Sequence, residues 1–326
     1  MKVLLTGASG FVGSHILDHL CARNIDTAVL LRPTSDRRFI EPHLSQVEVR
    51  SGSIADPASL NEALLGITEV IHCAGFTKAR RSAEFYQVNH LGTQNLVRAV
   101  NARRDEVQRF VYVSSLAVNG PATAANPARE SDPPRPVSDY GKSKLAGEQE
   151  VLEHCKTAFT IVRPPAVYGP RDYGFLSMFK AVKSHILPLT SRRQSLSLVY
   201  VKDLAQAILA CLQSAKAAGK IYYAASREIV TARQMAEQIA AQMHCWTVPF
   251  PIPAALLWPV CLFGELRSKI NGKPALLNLQ KFAELRAAGW VCDSSRLSTE
   301  VGFECRTPLE SGISETLQWY IGERWI

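Results

Sequence analysis

The chain begins with the stretch Lys2-Val3-Leu4-Leu5-Thr6-Gly7-Ala8-Ser9-Gly10-Phe11-Val12-Gly13. The apolar run before Gly7 predicts a buried parallel strand, and the residues from Ser14 to Cys21 predict a helix. A glycine-rich turn between strand and helix leaves room for a pyrophosphate, which the free N–H groups and the dipole of the helix would hold. Gly13 would let the helix pack closely on the strand. The stretch therefore predicts a dinucleotide-binding turn in an α/β fold of the Rossmann type.

The end of the second predicted strand, Thr27 to Leu31, bears on the choice of dinucleotide. An acidic residue there would accept a hydrogen bond from the ribose 2′-OH of NAD. This chain has Leu31, which cannot, followed by Arg32, whose guanidinium can pair with a 2′-phosphate. We therefore expect NADP, with NAD possible. The alternative is that the arginines from Arg32 onward form a solvated basic loop.

A tyrosine and a lysine four residues apart, Tyr140 and Lys144, indicate proton transfer. At this spacing both side chains project from one helix face. A free phenol has a pKa near 10, and a neighbouring ammonium group is expected to lower it. A serine hydroxyl after the strand Arg109 to Val113 can orient a substrate oxygen. The set predicts that a proton moves through Tyr140 while hydride moves between substrate carbon and nicotinamide.

Motifs along most of the chain give it a family resemblance. It resembles the extended short-chain dehydrogenases/reductases, the superfamily of the NAD-dependent epimerases/dehydratases, and is nearer the hydroxysteroid dehydrogenase and dihydroflavonol reductase branches. The motifs occur in the family's order and are the three glycines, Val70-Ile71-His72-Cys73-Ala74-Gly75, Val88-Asn89-His90-Leu91-Gly92-Thr93, the strand ending at Ser115, Tyr140 with Lys144, Arg163-Pro164-Pro165-Ala166-Val167-Tyr168-Gly169-Pro170, and Val199-Tyr200-Val201-Lys202-Asp203.

The resemblance implies a role for each matching residue. Ser115, rather than Ser114, would orient the substrate, Tyr140 would be the acid/base, and Lys144 would also bind the nicotinamide ribose. Asn89 either joins this site or only ties backbone segments together. The cofactor would be bound by Gly7, Gly10, Phe11, Val12, Gly13, Arg32, Ser53, Ile54, Ala74, Gly75, Tyr140, Lys144, Pro164 and Val167.

Departures from the family patterns narrow the substrate class. Dehydratases carry an Asp-Glu pair where this chain has Leu116-Ala117, so we do not expect dehydration. Sugar-nucleotide epimerases place Asn at the position of Ala166 and Arg near Leu196, both for phosphate. We therefore expect an oxidoreductase that interconverts an alcohol and a ketone or aldehyde on a largely apolar small molecule. One alternative is a sugar or sugar-nucleotide epimerase whose phosphate clamp comes from Arg171, Arg192 or Arg193. Another is a non-catalytic cofactor-binding regulator or accessory subunit.

Motif order also predicts the domain organisation. Residues 1–164 and 199–225 would form the dinucleotide-binding domain, with 199–225 contributing a strand, a helix and another strand. Residues 165–198 and 226–326 would form a smaller substrate-binding domain. The segment 248–263 carries no charge, and four prolines interrupt it. It predicts a core helix, an apolar lid, or, with the basic residues up to 273, a peripheral membrane contact.

Composition excludes several other functions. The net charge is +8, yet the basic residues are scattered without a nucleic-acid-binding motif. The eight cysteines form no Cys-x-x-Cys pair, so we expect buried thiols and no metal site. Reduced thiols, a nucleotide site and a sheet that begins at residue 2 favour the cytoplasm. The resemblance implies a homodimer formed by the helices near 91–103 and 140–155.

Overall fold

A computed structural model describes residues 1–189, 194–251, 254–271 and 279–326. Its main element is a seven-stranded sheet in which every neighbouring pair is parallel. The spatial order is β10-β6-β5-β4-β1-β2-β3. In chain order these strands are β1 (Lys2–Thr6), β2 (Asp26–Leu31), β3 (Glu48–Ser51), β4 (Glu69–His72), β5 (Arg109–Val113), β6 (Ala158–Arg163) and β10 (Lys220–Tyr223).

Helices cover both faces of this sheet, which confirms the doubly wound Rossmann-type fold. On one face Ile16, Leu17 and Leu20 of α1 pack with buried residues of α7. On the other face Leu96 and Val100 of α4 pack with α2 and the sheet. The helices are α1 (Phe11–Ala22), α2 (Pro57–Ala63), α3 (Ser82–Phe85), α4 (Thr93–Ala102), α5 (Asp139–His154), α6 (Leu176–Lys183), α7 (Val201–Gln213), α8 (Ala232–Gln242), α9 (Ala254–Asn271), α10 (Leu279–Arg286) and α11 (Leu309–Gly322).

A smaller C-terminal part has its own core and two small sheets. One sheet has the order β11-β9-β13, with β7 also paired to β9, and in the other β8 pairs with β12. These strands are β7 (Ala166–Tyr168), β8 (Ile186–Leu189), β9 (Ser195–Tyr200), β11 (Ile229–Thr231), β12 (Val248–Pro251) and β13 (Gly289–Trp290). Their core is built with Phe179, Met235, Ile239 and Ile313.

One expectation about residues 199–225 was wrong, because the first strand of this stretch does not join the large sheet. The strand expected at the start of 199–225 is the end of β9, and it pairs with β7 of the smaller part, with Val167 opposite Val199. The helix and the last strand of that stretch do return, since α7 packs on α1 and β10 pairs with β6. An apolar run predicts a buried strand but does not identify its partner. The division into two domains stays a prediction.

The uncharged segment 248–263 forms β12 and the beginning of α9, apart from residues 252–253, which lie outside the described residues. Trp258, Val260 and Phe263 are exposed, so for these side chains the core-helix interpretation was wrong. Among the described residues we find no helix whose length and apolar character would suffice to cross a membrane.

Candidate active site

The carboxyl ends of the seven parallel strands form one edge of the large sheet, and the predicted site residues follow six of these strands at that edge. The register aligns Thr6, His72 and Tyr112 across β1, β4 and β5. Residues that follow the strand ends therefore lie in the spatial order Pro164, Ser115, Ala74, Gly7, Arg32, Ser53. The proposed redox residues are at one end and the proposed adenine-side residues at the other, as an extended dinucleotide requires.

The turn after β1 has the shape that a pyrophosphate needs. Gly7 has a φ of +75°, and β1 leads directly into the turn. A Cβ on Gly13 would lie 2.0 Å from the carbonyl oxygen of Gly7, so only glycine allows α1 to pack this closely on the turn. Gly10 is the N-cap, and α1 begins at Phe11, three residues before the predicted start. The N–H groups of Phe11 and Val12 have no intrahelical carbonyl partner and are available to phosphate oxygens.

The loop after β2 presents Arg32 to solvent beside the buried Leu31. The Arg32 N–H donates to the Ser35 hydroxyl, 3.1 Å away, which shapes the turn. Arg38 in the same loop is engaged elsewhere: it bonds the Tyr173 hydroxyl and lies over the Trp325 ring. Arg32 is thus the guanidinium that follows β2 directly and remains exposed at the adenine end.

The remaining predicted cofactor residues lie on neighbouring loops. The N–H of Ala74 donates to the Thr6 hydroxyl over 3.2 Å, which ties the β4 loop to β1. The Ile54 carbonyl accepts a hydrogen bond from Asn95 at 3.1 Å, and the Ile54 side chain packs on Gly92. These contacts are structural, and they leave Gly75 exposed at the edge.

Tyr140 and Lys144 are positioned by the start of α5. The Ser138 hydroxyl caps this helix and accepts from the Gly141 N–H at 3.2 Å. A Cβ on Gly141 would lie 2.5 Å from the Ala117 carbonyl oxygen, so the helix start is pressed against the Ser115 loop. Tyr140 is half-buried and Lys144 is buried. The structure therefore brings the three predicted catalytic side chains to one place.

The electrostatics of this trio differ from the sequence-based expectation. Burial raises the pKa of Tyr140 to about 12, and the interaction with the Ser115 side chain opposes that rise. Burial also lowers the pKa of Lys144 to about 8. The Lys144 ammonium donates to the Val113 carbonyl at 2.7 Å and lies 4.2 Å from the Tyr112 ring centroid. Burial dominates the pKa of Tyr140, so the net shift is upward and opposite to the lowering that the sequence predicted.

Asn89 is fully buried and joins three elements. Its amide accepts from the Phe76 N–H at 2.8 Å and donates to the Phe76 carbonyl and the Ser143 hydroxyl, both at 2.9 Å. Of the two roles considered for Asn89, these contacts correspond to the tie between backbone segments. Because Ser143 immediately precedes Lys144, the tie also fixes the loop after β4 against the catalytic helix.

Pro164 and Val167 follow β6 at the redox end of the sheet edge. Pro164 is buried, and its carbonyl accepts from the Leu116 N–H at 2.8 Å. This bond places Pro164 directly beside the Ser115 loop. Val167 is half-buried in β7, so both residues line the side of the edge that a nicotinamide ring would reach.

Sequence analysis missed a buried ion pair behind the catalytic helix. Glu148 is fully buried and accepts two hydrogen bonds from Arg163, at 2.9 and 2.5 Å. Arg163 also donates to the Asn119 amide oxygen at 3.0 Å. The pair joins α5, the end of β6 and the Ser115 loop. The sequence contained two signs of this pair. Glu148 follows Tyr140 and Lys144 at a spacing of four residues, which places it on the same helix face, and Arg163 is a charged residue at the end of an apolar strand.

The smaller part of the protein closes over this edge. The backbone of the loop after Ser115 pairs with β13, since the Ala122 N–H donates to the Gly289 carbonyl at 3.0 Å. The buried Gln194 amide donates to carbonyls at the end of α10, including Ala287 at 2.9 Å. The Glu284 carboxylate of α10 is close enough to contribute to the raised pKa of Tyr140. Helix α10 therefore lies near the catalytic phenol.

The arginines considered for binding a substrate phosphate are either paired elsewhere or outside the described residues. Arg171 forms an ion pair with Asp18 of α1 at 2.8 Å and lies over the Phe39 ring. Leu196 lies in β9 and packs against the core of the smaller part. Arg192 and Arg193 lie outside the described residues. Among the described candidates, Arg171 is thus already paired.

Fold and site together define a dinucleotide-dependent enzyme class with a Ser-Tyr-Lys set. The chain belongs to the NAD dependent epimerase/dehydratase family, whose model matches residues 3–225. It is 28% identical to the ceramide reductase of Caulobacter vibrioides over 99% of this chain and 96% of that one. It is also 28% identical to a UDP-glucose 4-epimerase of Vibrio cholerae, over 98% and 95%. The solved UDP-glucose 4-epimerase of Thermus thermophilus, in complex with NAD, has a TM-score of 0.77 at 25% identity and 99% coverage of both chains.

These similarities confirm the family, the fold and an NAD-dependent type of chemistry. The relatives include both reductases and epimerases, so the similarities leave the reaction of this protein open.

Proposed function

We propose that the protein is an NADP(H)-preferring oxidoreductase that interconverts an alcohol and a ketone or aldehyde on a largely apolar substrate. The observation that carries this proposal is a complete set of Ser115, Tyr140 and Lys144 in a chain whose Arg171 is committed to Asp18. The three side chains can carry out proton transfer. Among the described residues, the arginine considered for binding a substrate phosphate is already paired.

The raised phenol pKa supports the reductive direction. With a pKa of about 12, Tyr140 carries its proton at neutral pH and can donate it to a carbonyl oxygen. Ser115 would hold that oxygen within reach. Lys144, charged below about pH 8, would stabilise the phenolate left after donation. When bound, the nicotinamide cofactor supplies the hydride.

Two uncharged residues, at positions where epimerases are expected to bind phosphate, favour an apolar substrate. The exposed Ala166 has a methyl group where epimerases present an amide, and Leu196 replaces an arginine. An unpaired sugar-nucleotide diphosphate would be costly to hold there. The similarity to a ceramide reductase, an enzyme named for a lipid, points the same way.

The cofactor preference rests on the exposed Arg32 and on the absence of an acidic side chain at Leu31. A guanidinium can bind a 2′-phosphate with two parallel hydrogen bonds. We therefore expect NADPH to bind more tightly than NADH.

The decisive experiment measures NADPH oxidation with a panel of ketones and aldehydes, before and after Tyr140→Phe. Loss of the phenol proton should lower kcat by about a hundredfold or more, with NADPH affinity retained. Tyr222→Phe is the matched control. The Tyr222 hydroxyl donates a 2.8 Å hydrogen bond to Glu300, and this pair lies outside the candidate active site. Equal activity of the two variants would contradict the assigned mechanism.

A second candidate function is epimerisation of a sugar or sugar nucleotide, favoured by the full-length similarity to the Vibrio cholerae enzyme. It requires a tightly held NAD that is regenerated in each cycle. Mass spectrometry of the purified protein distinguishes the two functions: retained, non-exchanging NAD together with turnover of UDP-sugars would replace the reductase proposal.

We also propose a homodimer through α4 and α5. Leu91, just before α4, and Leu152 of α5 are 41% and 44% exposed, which leaves apolar area on the predicted contact face. Sedimentation equilibrium would test this, and a monomer at all concentrations would contradict it.

A further inference from the structure

The surface of β12 and α9 exposes an unusual number of large apolar side chains. Trp246, Phe250 and Phe263 are 68%, 60% and 66% exposed, which is far above the value of a core residue. We call the group the apolar rim and define it as Trp246, Val248, Phe250, Trp258, Val260 and Phe263. Soluble proteins scatter such residues singly, whereas a cluster marks an interaction site.

The pattern along each element shows that the exposure is not incidental. Val248 and Phe250 are two residues apart in β12 and so lie on one of its faces, and Trp246 precedes Val248 by two residues. The neighbouring strand adds Ile186, which pairs with Val248 and is 46% exposed. In the part of α9 whose side chains are described, Cys261 is buried, while its neighbour Val260 faces solvent. Both elements thus turn apolar surface outward, the reverse of an ordinary surface helix or strand.

Basic groups outnumber acidic groups in the segments that carry the apolar rim, although Glu265 lies in α9 two residues after Phe263. The sequence has no Asp or Glu in 176–189 or in 244–264. Lys180 and Lys183 end α6 next to β8, and Arg267 follows the apolar part of α9; all three are exposed. His185 stacks on Trp246 with ring centroids 4.2 Å apart. Aromatic residues flanked by cations are the composition of segments that lie on anionic lipid.

We propose that the apolar rim docks on the surface of an anionic phospholipid bilayer, from which the protein takes its apolar substrate. The uptake of substrate rests on the proposed function, whereas the docking on the bilayer is inferred from the surface alone. A second copy of the chain fits this surface less well, because an isologous contact would bring the same cations together across the interface.

The apolar rim is connected to the catalytic edge through two helices. Helix α9 packs against α10, and α10 reaches the neighbourhood of Tyr140 through Glu284. The Trp290 indole N–H donates to the Glu284 carbonyl at 3.0 Å and fixes the end of α10 near the loop after Ser115. These contacts link α9, through α10, to the catalytic edge.

Vesicle co-sedimentation of the purified full-length protein tests the docking without any substrate. The probes are vesicles of phosphatidylcholine with and without phosphatidylglycerol. We expect binding to the anionic vesicles that weakens with salt. The variant Trp258→Ser/Phe263→Ser should lose about tenfold or more in partitioning. Its matched control is Leu65→Ser/Ile321→Ser, at side chains that are 52% and 57% exposed elsewhere, and it should bind like the wild type.

Further variants keep the test decisive if the first is poorly folded. Trp246→Ser/Phe250→Ser alters the strand instead of the helix and should show the same loss. Arg267→Glu should reduce binding to anionic vesicles severalfold, whereas the exposed Arg104, changed likewise, should not. Turnover of a water-soluble ketone should be equal in wild type and rim variants, while turnover of a bilayer-embedded ketone should fall.

Three results would overturn the proposal: wild-type protein that ignores anionic vesicles, rim and control variants that bind them equally, or rim variants that convert a dimer to a monomer in sedimentation velocity. The last would make the rim an interface between copies. Failure of the reductase function would leave vesicle binding intact, so the two proposals can fail separately.

Discussion

The buried pair of Glu148 and Arg163 provides the sharpest test of how the catalytic helix is held. We consider Glu148→Gln, which removes the charge and keeps the shape. In the wild type the carboxylate is fully buried, and Arg163 is 2% exposed. After the change Arg163 remains a buried cation with only the Asn119 oxygen and one amide oxygen as acceptors.

The expected loss of stability follows from this geometry. Removing one partner of a buried ion pair costs about 3–5 kcal/mol, because the other charge stays buried without compensation. Two of the three hydrogen bonds of Arg163 can persist in the variant, so we expect the lower limit, about 3 kcal/mol. A second effect concerns Lys144, whose pKa Glu148 helps to raise against the dominant effect of burial. Its loss should move the alkaline limit of ketone reduction below about pH 8.

Urea unfolding measures the first effect, and a pH profile of kcat measures the second. Glu237→Gln is the matched control, because Glu237 pairs with Arg233 at 2.7 Å on the surface of α8 with both side chains about half exposed. That pair is worth about 0.5 kcal/mol or less. The double variant Glu148→Leu/Arg163→Met removes both charges and should recover most of the stability.

Equal destabilisation by Glu148→Gln and Glu237→Gln would refute the reasoning. So would an unshifted alkaline limit in a well-folded Glu148→Gln protein, because the charge of Glu148 would then not act on Lys144.

Four further outcomes are expected. Gly13→Ala should lower the free energy of unfolding by about 2–3 kcal/mol and weaken cofactor binding, because its Cβ would lie 2.0 Å from a backbone oxygen, whereas Gly322→Ala, with open space, should be neutral in urea unfolding. Arg32→Ala should weaken NADPH binding about tenfold or more and leave NADH binding unchanged in fluorescence titrations; equal losses would contradict the 2′-phosphate role. For the wild type, kcat for reduction should fall as pH rises through about 8, where Lys144 loses its charge; a flat profile would contradict this. Burial lowers the pKa of His15 to about 4, so the unfolded chain binds the extra proton between pH 4 and 6.5, and the free energy of unfolding should fall as pH is lowered through that window, by up to about 1.4 kcal/mol per unit; His15→Gln should reduce this slope.

The cofactor side of the molecule was predictable because its residues act through the backbone. The spacing of Gly7, Gly10 and Gly13 reports a local turn and a close helix approach, and both are confirmed. The parallel strands then place the ends of β4, β5 and β6 at the same edge without further information. The fold and the meeting of Ser115 with Tyr140 thus follow from local signals and one rule of topology.

What could not be predicted depends on long-range contacts. Which sheet β9 joins is determined by its pairing with β7 and β11, and its apolar sequence suits either sheet. The pKa of Tyr140 is raised mainly by burial and further by the Glu284 carboxylate, which is 144 positions away in the sequence. The partnership of Glu148 with Arg163 joins a helix and a strand whose side chains face each other only in the folded protein.

The same distinction explains why the substrate is harder to infer than the cofactor. The dinucleotide would be bound along the edge of one sheet, by turns whose glycine spacing is visible in the sequence. The substrate would contact segments from a part whose pieces, β7 to β9 and β11 onward, are separated by α7 and β10. In those segments the proposed function rests on side chains, such as Ala166, Leu196 and the apolar rim. Neither Ala166 nor Leu196 supplies a charge and the rim exposes aromatic surface, so these features agree with the proposed apolar substrate. Their agreement, more than any single residue, favours reduction of a lipid-like ketone over chemistry on a sugar nucleotide.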